Sequence, residues 1–182
     1  MAFVSILTPY RNAEKYIRET ALSIFRQTHT DWEWILVNDH SEENELEVIA
    51  DLLHDPRIKS LENKGTGIVD ALCTAFEAAK GEYITRMDAD DVMPDFKLAE
   101  FLRVLENGKA QIVTGKVKYF SQTDLISPGY LAYEKWLNER IDQQDFYTQI
   151  YRECSIASGN WLMRRSDLEK CGGFTGLNYP ED

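Results

Sequence analysis

Residues 82–91 read Glu-Tyr-Ile-Thr-Arg-Met-Asp-Ala-Asp-Asp, and this stretch indicates the class of fold. Glu82–Met87 has the length and composition of a β-strand, and the cluster Asp88-Ala89-Asp90-Asp91 ends it. In open parallel sheets, ligands bind beyond the carboxyl ends of the strands. The stretch therefore predicts a strand that carries three carboxylates to the ligand-binding edge of a sheet.

Three more segments of strand character precede this one: Phe3–Thr8, Trp32–Val37 and Arg57–Leu61. The first is almost continuously apolar, which is typical of a strand buried on both faces of a parallel sheet. Pro9 is expected to end it. Polar residues follow the first two strands, as they do the fourth.

Apolar stripes at helical spacing lie between the strands. We expect Asn12 and Ser41 to cap the first two helices and Gly81 to end the third. The four stripes are Ile17, Ala21, Ile24 and Phe25; Leu46, Ile49 and Leu53; Ile68, Leu72, Phe76 and Ala79; and Leu98, Phe101, Leu102 and Leu105.

Strand and helix alternate four times, which predicts an α/β fold with right-handed crossovers and a mostly parallel sheet covered on both faces. The remaining third is less regular and is expected to complete a site. Its expected elements are strands Gln111–Thr114 and Asn160–Met163 and helices Leu131–Ile141, Phe146–Arg152 and Ser166–Lys170.

Composition excludes several functions. The 182 residues include 20 Lys or Arg and 31 Asp or Glu, giving a net charge of −11, so neither nucleic acid nor an anionic membrane surface is an expected partner. The apolar run Ala2–Thr8 is too short to span a membrane and lacks the charged start of a signal peptide. Three widely spaced cysteines argue against a disulfide framework or a zinc ribbon. From these features together we expect a cytoplasmic protein without a transmembrane segment.

Carboxylates that lie this close repel one another: Asp88, Asp90 and Asp91 do so by roughly 1 kcal/mol per close pair in water. The repulsion energy is larger near a protein surface, where the effective dielectric constant is lower. A divalent cation removes that cost, and oxygen ligands of this kind suit Mg²⁺ or Mn²⁺ bound together with substrate phosphates. The alternative is a solvated acidic turn that caps the next helix.

Other motifs fit less well. An EF-hand starting at Asp88 requires Gly and Glu where Met93 and Ala99 stand. The glycine-containing stretch 65–70 is only a partial dinucleotide fingerprint. Asp88 and Asp90 also have the spacing of haloacid-dehalogenase-type phosphatases, although that family usually places the motif after its first strand.

Several stretches of the chain resemble family 2 glycosyltransferases, which have the GT-A fold, and they occur in the family's order. They are Val4–Asn12, Ser23–Thr28, Trp34–Ser41 and Gly81–Asp91, followed by Arg164-Arg165, Gly172-Gly173-Phe174 and Glu181-Asp182. We interpret Arg164-Arg165 itself as a solvated pair of charges. Because the pieces cover almost the whole chain, they are jointly specific.

The resemblance implies a GT-A type fold, with a Rossmann-like, mostly parallel sheet flanked by helices. It also implies an inverting, metal-dependent transfer of a sugar from a nucleotide-sugar, with a UDP-sugar as the first choice. The acceptor would be a hydroxyl of a carbohydrate or of a lipid-linked sugar, and the cofactor Mn²⁺ or Mg²⁺.

The expected site residues fall into three groups by role. In the resemblance, Asp39 accepts a hydrogen bond from the base and Asp88 contacts the ribose, while Lys64 is a candidate for the rim of the pocket. Nucleotide binding is expected of Thr8, Pro9, Tyr10, Asp39, Lys64, Asp88 and Ala89, metal binding of Asp90 and Asp88, and general-base catalysis of Asp182 beside Glu181.

We expect one domain over residues 1–182, with a nucleotide-binding half at 1–115 and an acceptor-side half at 116–182. Catalytic domains of the family usually continue past the Glu181-Asp182 motif, so the acceptor-side half is expected to be truncated at its C-terminus. Two alternatives to sugar transfer therefore stay open: a module that binds a nucleotide-sugar without transfer, and a phosphatase built on Asp88 and Asp90.

Overall fold

A computed structural model of the chain describes residues 2–42, 45–108, 110–121, 125–149 and 151–175. The strands are β1 (Val4–Tyr10), β2 (Trp32–Asn38), β3 (Ile58–Glu62), β4 (Tyr83–Arg86), β5 (Ile112–Thr114) and β6 (Trp161–Arg164). The α-helices are α1 (Ile17–Phe25), α2 (Ile68–Ala78), α3 (Lys97–Glu106), α4 (Pro128–Gln143) and α5 (Arg165–Lys170), and a short 3₁₀ helix covers Glu45–Ile49.

The strands form one sheet in the order β3-β2-β1-β4-β6-β5. The first four strands along the chain pair in parallel, and β6 runs antiparallel to both β4 and β5. The predicted mostly parallel α/β sheet is thereby confirmed. The C-terminal third contributes β6, which lies inside the sheet between β4 and β5.

Helices cover both faces of the sheet, because side chains along a strand point alternately to opposite faces. Ile6 of β1 belongs to the core that contains Ile24 of α1 and Leu102 of α3. Leu7, the next residue, belongs to the core formed with Leu72 of α2. Every residue of β1 is buried, as its continuous apolar sequence predicted.

The prediction that Pro9 ends β1 is wrong, because the strand continues to Tyr10. Its pairing with β4 stops at Leu7, whereas its pairing with β2 runs on to Tyr10. The carbonyl of Leu7 accepts from Met87 on the β4 side, so Pro9, two residues on, presents its nitrogen to the side where pairing has ended. The proline therefore costs the sheet no hydrogen bond.

The start of α1 also differs from the prediction. The helix begins at Ile17, and Asn12 does not cap it. Asn12 instead has a positive φ of 52°, a conformation in which Asn is enriched. Its amide nitrogen donates to the Ser41 hydroxyl, and its side-chain oxygen accepts from the Glu42 backbone. Asn12 thus joins the loop after β1 to the loop after β2.

Three further predictions need correction. The segment containing Leu46 forms a 3₁₀ helix at Glu45–Ile49 rather than an α-helix, and the described residues of 146–152 form turns and bends. Helix α2 ends at Ala78, and Gly81 has another role. A Cβ on Gly81 would lie 2.5 Å from the backbone nitrogen of Ser5, so the glycine permits β1 and the start of β4 to approach.

The pair Arg164-Arg165 is not a solvated pair. Arg164 donates to the carbonyl of Leu105 at 2.7 Å, at the end of α3. Arg165 donates to the carbonyls of Ala79 and Phe76 at 2.6 and 3.1 Å, at the end of α2. Cations are favourable at helix C-termini, where carbonyls lack partners. The two arginines fasten helices on opposite faces of the sheet.

None of the helices in the described parts of the chain is both long and apolar enough to cross a lipid bilayer.

Candidate functional site

The polar residues that follow β1, β2 and β4 meet at one edge of the sheet, because these strands are parallel neighbours. The backbone nitrogen of Asp39 donates to the carbonyl of Tyr10 at 2.8 Å, which joins the ends of β2 and β1. Asp88 follows β4 on the other side of β1. The predicted edge site is therefore built from three adjacent strand ends.

Asp39 anchors the turn that leads into α2. Its side chain is buried, and Oδ1 accepts from the Asn63 amide at 2.7 Å and from the Gly67 backbone at 2.9 Å. Gly67 has a φ of 89°, which favours glycine. Oδ2 accepts only the longer bond from Gly67, at 3.1 Å, so it retains capacity for another donor.

The other residues expected at the nucleotide pocket lie at different depths. Thr8 is fully buried, and its hydroxyl accepts from the indole of Trp34 at 2.8 Å, so its side chain faces the core. Pro9 and Tyr10 are buried at the end of β1. Lys64 is exposed and forms an ion pair with Glu77 of α2. Nucleotide contacts by these residues stay predictions.

The residues 88–91, termed the acidic loop below, present their carboxylates in two ways. Asp88 is held on both oxygens: Oδ1 accepts from Arg86 at 2.7 Å and Oδ2 from the hydroxyl of Ser158 at 3.4 Å. Asp90 and Asp91 are exposed. Within the described parts of the chain, no hydrogen bond or ion pair holds the carboxylate of either. Two of the three carboxylates are thus available to a ligand.

Hydrogen bonds from α1 hold the backbone of the acidic loop in place. The Thr20 hydroxyl lies 2.8 Å from the carbonyls of both Ala89 and Asp91, and Ala89 itself is buried. One turn further along α1, the Ser23 hydroxyl accepts from the backbone of Met93, which follows the acidic loop. The Gln27 amide then donates to Pro94 at 2.8 Å. Buried polar residues of α1 and of the turn that follows it therefore fix the path of the loop.

A segment of the C-terminal third that contains Gly159 packs against the acidic loop. The ammonium of Lys97, which is only 6% exposed, donates to the carbonyl of Gly159 at 3.0 Å. A Cβ on Gly159 would lie 2.9 Å from Oδ2 of Asp91 and 3.5 Å from the nitrogen of Asp88. Absence of a side chain at residue 159 lets this segment approach the carboxylates.

The surroundings shift the titration of two of these groups. Partial removal of water by the surrounding protein, and then the negative charges of Asp88 and Asp90, raise the pKa of the Asp91 carboxyl to about 6. Burial lowers the pKa of Lys97 to about 8, against the opposing attraction of Asp91 and Asp88. Both shifts have removal of water as their largest cause, so the charged forms of Asp91 and Lys97 are each less favoured here than in water.

A cavity of about 610 Å³ lies beside Asp90 and Asp91. Its other walls are the residues before and at the start of α1, the segment 118–121 after β5, and the start of α4. Aromatic side chains, among them Tyr119 and Tyr130, line it together with two lysines. None of the residues expected to bind the nucleotide lines this cavity.

Among the described residues, no three His, Cys, Asp or Glu side chains converge closely enough to hold a metal ion unaided. The acidic loop nevertheless fits a divalent cation, because Asp90, whose carboxylate has no partner among the residues that the structure describes, is two residues from Asp88. Mg²⁺ is commonly held by one or two carboxylates, with substrate phosphates and water completing its shell. The expected base, Asp182, and its neighbour Glu181 lie outside the described residues.

Sequence reasoning missed Thr20, Asn63, Lys97, Ser158 and Gly159. A signal existed for two of them. Thr20 lies on the same helical face as Ser23 and Gln27, a polar stripe beside the apolar one, and Lys97 adjoins the apolar stripe of α3. The others act through loop contacts that no local pattern reveals.

Comparisons with known proteins agree with this architecture. A family model described as Glycosyl transferase family 2 matches residues 5–172. The chain is 33% identical over 179 residues to glycosyltransferase GlyG of Streptococcus pneumoniae serotype 4 (strain ATCC BAA-334 / TIGR4). The matched region covers 97% of this chain and 59% of GlyG. The chain thus spans less than two thirds of the length of this curated relative.

Solved structures share the fold. S. aureus TarS 1-349 in complex with UDP-GlcNAc superposes with a TM-score of 0.73 at 18% identity, covering 100% of this chain and 51% of that one. The mannosyltransferase PcManGT from Pyrobaculum calidifontis, in complex with GDP-Man and Mn²⁺, gives a TM-score of 0.69 at 21% identity, with 94% and 47% covered.

We expect Thr20→Val to destabilise the protein by about 1–3 kcal/mol, because it removes the one hydroxyl hydrogen that the carbonyls of Ala89 and Asp91 share, while preserving the shape of the side chain. Urea unfolding at equilibrium measures the loss. Thr28→Val is the matched control: Thr28 is exposed and should change stability by less than about 0.5 kcal/mol. Equal effects of the two substitutions would show that Thr20 does not hold the loop.

Asp91→Asn should stabilise the metal-free protein in a pH-dependent manner. Because folding raises the pKa of Asp91 from 3.8 to about 6, the native state binds more protons than the unfolded chain in that interval, and stability falls as pH rises through it. The advantage of the variant should therefore be absent below pH 3.8, grow up to about pH 6 and stay level above it.

Urea unfolding across this pH range, with a chelator present, measures that advantage. Asp95→Asn is the control, since Asp95 is exposed and pairs with Arg26 away from the acidic loop. An advantage of Asp91→Asn that does not change with pH would contradict the assigned surroundings of Asp91.

Proposed function

The chain belongs to glycosyl transferase family 2, and we propose that it transfers a sugar from a UDP-sugar to an acceptor hydroxyl with inversion at the transferred carbon. The observation that carries this proposal is the acidic loop at the carboxyl end of β4, beside the ends of β1 and β2. A solved structure of the same fold is a complex with UDP-GlcNAc, which supports the choice of donor.

We place the base of the nucleotide near Asp39. The carboxylate of Asp39 is oriented by Asn63 and Gly67, and the remaining capacity of Oδ2 suits an N–H donor of the base. The contacts that hold Asp39 also fix the turn before α2, so the pocket would be formed before the ligand arrives. Pro9 and Tyr10 would supply the floor of this pocket from the end of β1.

We place the ribose at Asp88, with Ala89 beside it, and the diphosphate toward Asp90. Asp88 is fixed by Arg86 and Ser158, so its carboxylate is oriented in advance. Asp90, with Asp88, would hold Mn²⁺ or Mg²⁺. When bound, the cation would stabilise the negative charge that develops on the leaving diphosphate.

Inversion requires one carboxylate to take the proton of the acceptor hydroxyl as that oxygen attacks the sugar from the face opposite the leaving group. By family resemblance we assign this role to Asp182, with Glu181 beside it. The acceptor would be a carbohydrate or a lipid-linked sugar. We also propose a cytoplasmic location, which the three free cysteines support because thiols stay reduced there.

A nucleotide-sugar-binding module without transfer is the second candidate. Its support is that the side chains of Asp39 and Asp88, placed here at the nucleotide, have hydrogen-bond partners that orient them, whereas the base assigned to transfer rests on the resemblance alone. The phosphatase alternative receives no support, because the family model that matches residues 5–172 describes glycosyl transferases.

Calorimetric titration of UDP with and without Mn²⁺ tests the donor site. We expect micromolar binding that depends on the metal. Asp90→Asn should lower the affinity for UDP at least tenfold, about 1.4 kcal/mol, because a neutral amide holds the cation that joins the protein to the diphosphate less tightly than a carboxylate does. Asp95→Asn makes the same substitution on an exposed carboxylate outside the site and should bind as the unaltered chain does.

Unchanged metal-dependent affinity in Asp90→Asn would contradict the metal assignment. A lack of binding to UDP, GDP and the other nucleoside diphosphates would contradict the donor site as a whole. Transfer of a radiolabelled sugar to an acceptor then separates the two candidates, because the binding module retains UDP affinity without forming product.

A further inference from the structure

The cavity beside Asp90 and Asp91 has a wall that is held rigidly. Two side chains of α4 bond to the backbone of the segment after β5: the amide of Asn138 bonds to both backbone groups of Val117 at 2.9 Å, and Glu134 accepts from the nitrogen of Tyr119 at 2.6 Å. Lys116 adds an ion pair to Asp142. The ring of Tyr119 is therefore presented to the cavity by a fixed backbone.

Aromatic rings form this wall. The rings of Tyr119 and Tyr130 lie 5.3 Å apart at 45°, and that of Tyr133 lies 6.4 Å from Tyr119. Tyr130 is 59% exposed, and Phe120, which also lines the cavity, is 53% exposed. Large aromatic surface that is held in place but left uncovered is typical of a binding site.

The cavity combines this surface with hydrogen-bonding groups of mixed charge. Its lining residues include Lys15 and Lys118, opposed by the carboxylates of Glu19, Asp90 and Asp91. With Asp90 assigned to the metal, the two lysines balance the carboxylates of Glu19 and Asp91, so the rest of the lining has no net charge and suits a neutral polar occupant. A volume of about 610 Å³ lies within the range of small-molecule sites.

A sugar ring has the complementary surface. Its C–H groups pack on the electron-rich face of an aromatic ring, and its hydroxyls donate to carboxylates and accept from ammonium groups. A hydrocarbon chain would leave the carboxylates without donors, and an anionic polyol would bring a charge that the balanced lining does not neutralise. A neutral pyranose satisfies both parts of the lining.

We propose that this cavity binds the ring of a neutral sugar that is the acceptor, with Tyr119 and Tyr130 as its stacking platform. The inference rests on the proposed function: the cavity adjoins Asp90, at the diphosphate end of the donor site, and excludes every residue expected to bind the nucleotide. An acceptor hydroxyl must lie at that end of the donor, where the transferred sugar is attached.

Saturation-transfer NMR tests the inference with methyl glycosides of glucose, galactose, N-acetylglucosamine and mannose, in the presence of saturating UDP and Mn²⁺. We expect at least one glycoside to receive saturation, most strongly on the protons of one ring face. Glycerol 3-phosphate, an anionic polyol without a ring, should receive none.

Tyr130→Ala and Phe120→Ala remove parts of the aromatic lining from exposed positions, and each should lower the glycoside signal at least fivefold. Tyr147→Ala is the matched control, because Tyr147 is 82% exposed and does not line the cavity. Its signal should equal that of the unaltered chain. The inference is overturned if no glycoside binds, if both lining variants keep the full signal, or if glycerol 3-phosphate binds equally.

Two further comparisons are needed. One distinguishes the sugar of the donor from that of the acceptor, and the other distinguishes failure of this inference from failure of the proposed function. If UDP-glucose displaces the glycoside and UDP does not, the cavity holds the sugar of the donor, and the acceptor assignment is overturned. UDP binding without glycoside binding overturns this inference alone. Glycoside binding without UDP binding overturns the proposed function and the acceptor assignment together, and leaves only a site for a sugar ring.

Discussion

The site depends on holding three carboxylates within four residues of chain, against their mutual repulsion, at the end of β4. Three different interactions of the fold stabilise this arrangement. Thr20 of α1 fixes the backbone of the acidic loop, Arg86 pairs with Asp88, and buried Lys97 supplies a positive charge behind Asp91. The repulsion is reduced but not removed, and the remaining negative charge is what would favour a cation when the substrate diphosphate binds.

The acidic loop also divides the edge of the sheet into two regions. On the side of β2, Asp39 holds a glycine turn and retains capacity for a donor. On the other side, Asp90 and Asp91 border an aromatic cavity whose wall is fastened to α4. The proposed transfer needs both substrates to be oriented about one bond, and this arrangement would give each of them a place. The pKa of Asp91 is raised first by removal of water and then by the charges of Asp88 and Asp90, so its carboxylate is destabilised where these regions meet.

The sequence predicted the alternation of strands and helices and the mostly parallel sheet, because continuous apolar strands and helical stripes are local patterns. It did not predict contacts between distant residues. Pro9 continues β1 because β4 has already ended beside it, Asn12 bridges two loops, and Arg164 and Arg165 fasten helix ends on opposite faces. In the site, the position of Asp88, Asp90 and Asp91 after a strand indicated the candidate carboxylates and the resemblance supplied their expected roles, whereas the role of Thr20 required the structure.

A crystal structure of the chain with UDP and Mn²⁺ would show whether the acidic loop separates a nucleotide pocket from a cavity for the second substrate. We expect the uracil within hydrogen-bond distance of Asp39, the ribose at Asp88, and the metal on Asp90 with the diphosphate, while the aromatic cavity holds no part of the nucleotide. A nucleotide seated among Tyr119 and Tyr130, or a metal bound away from Asp90, would contradict this expectation.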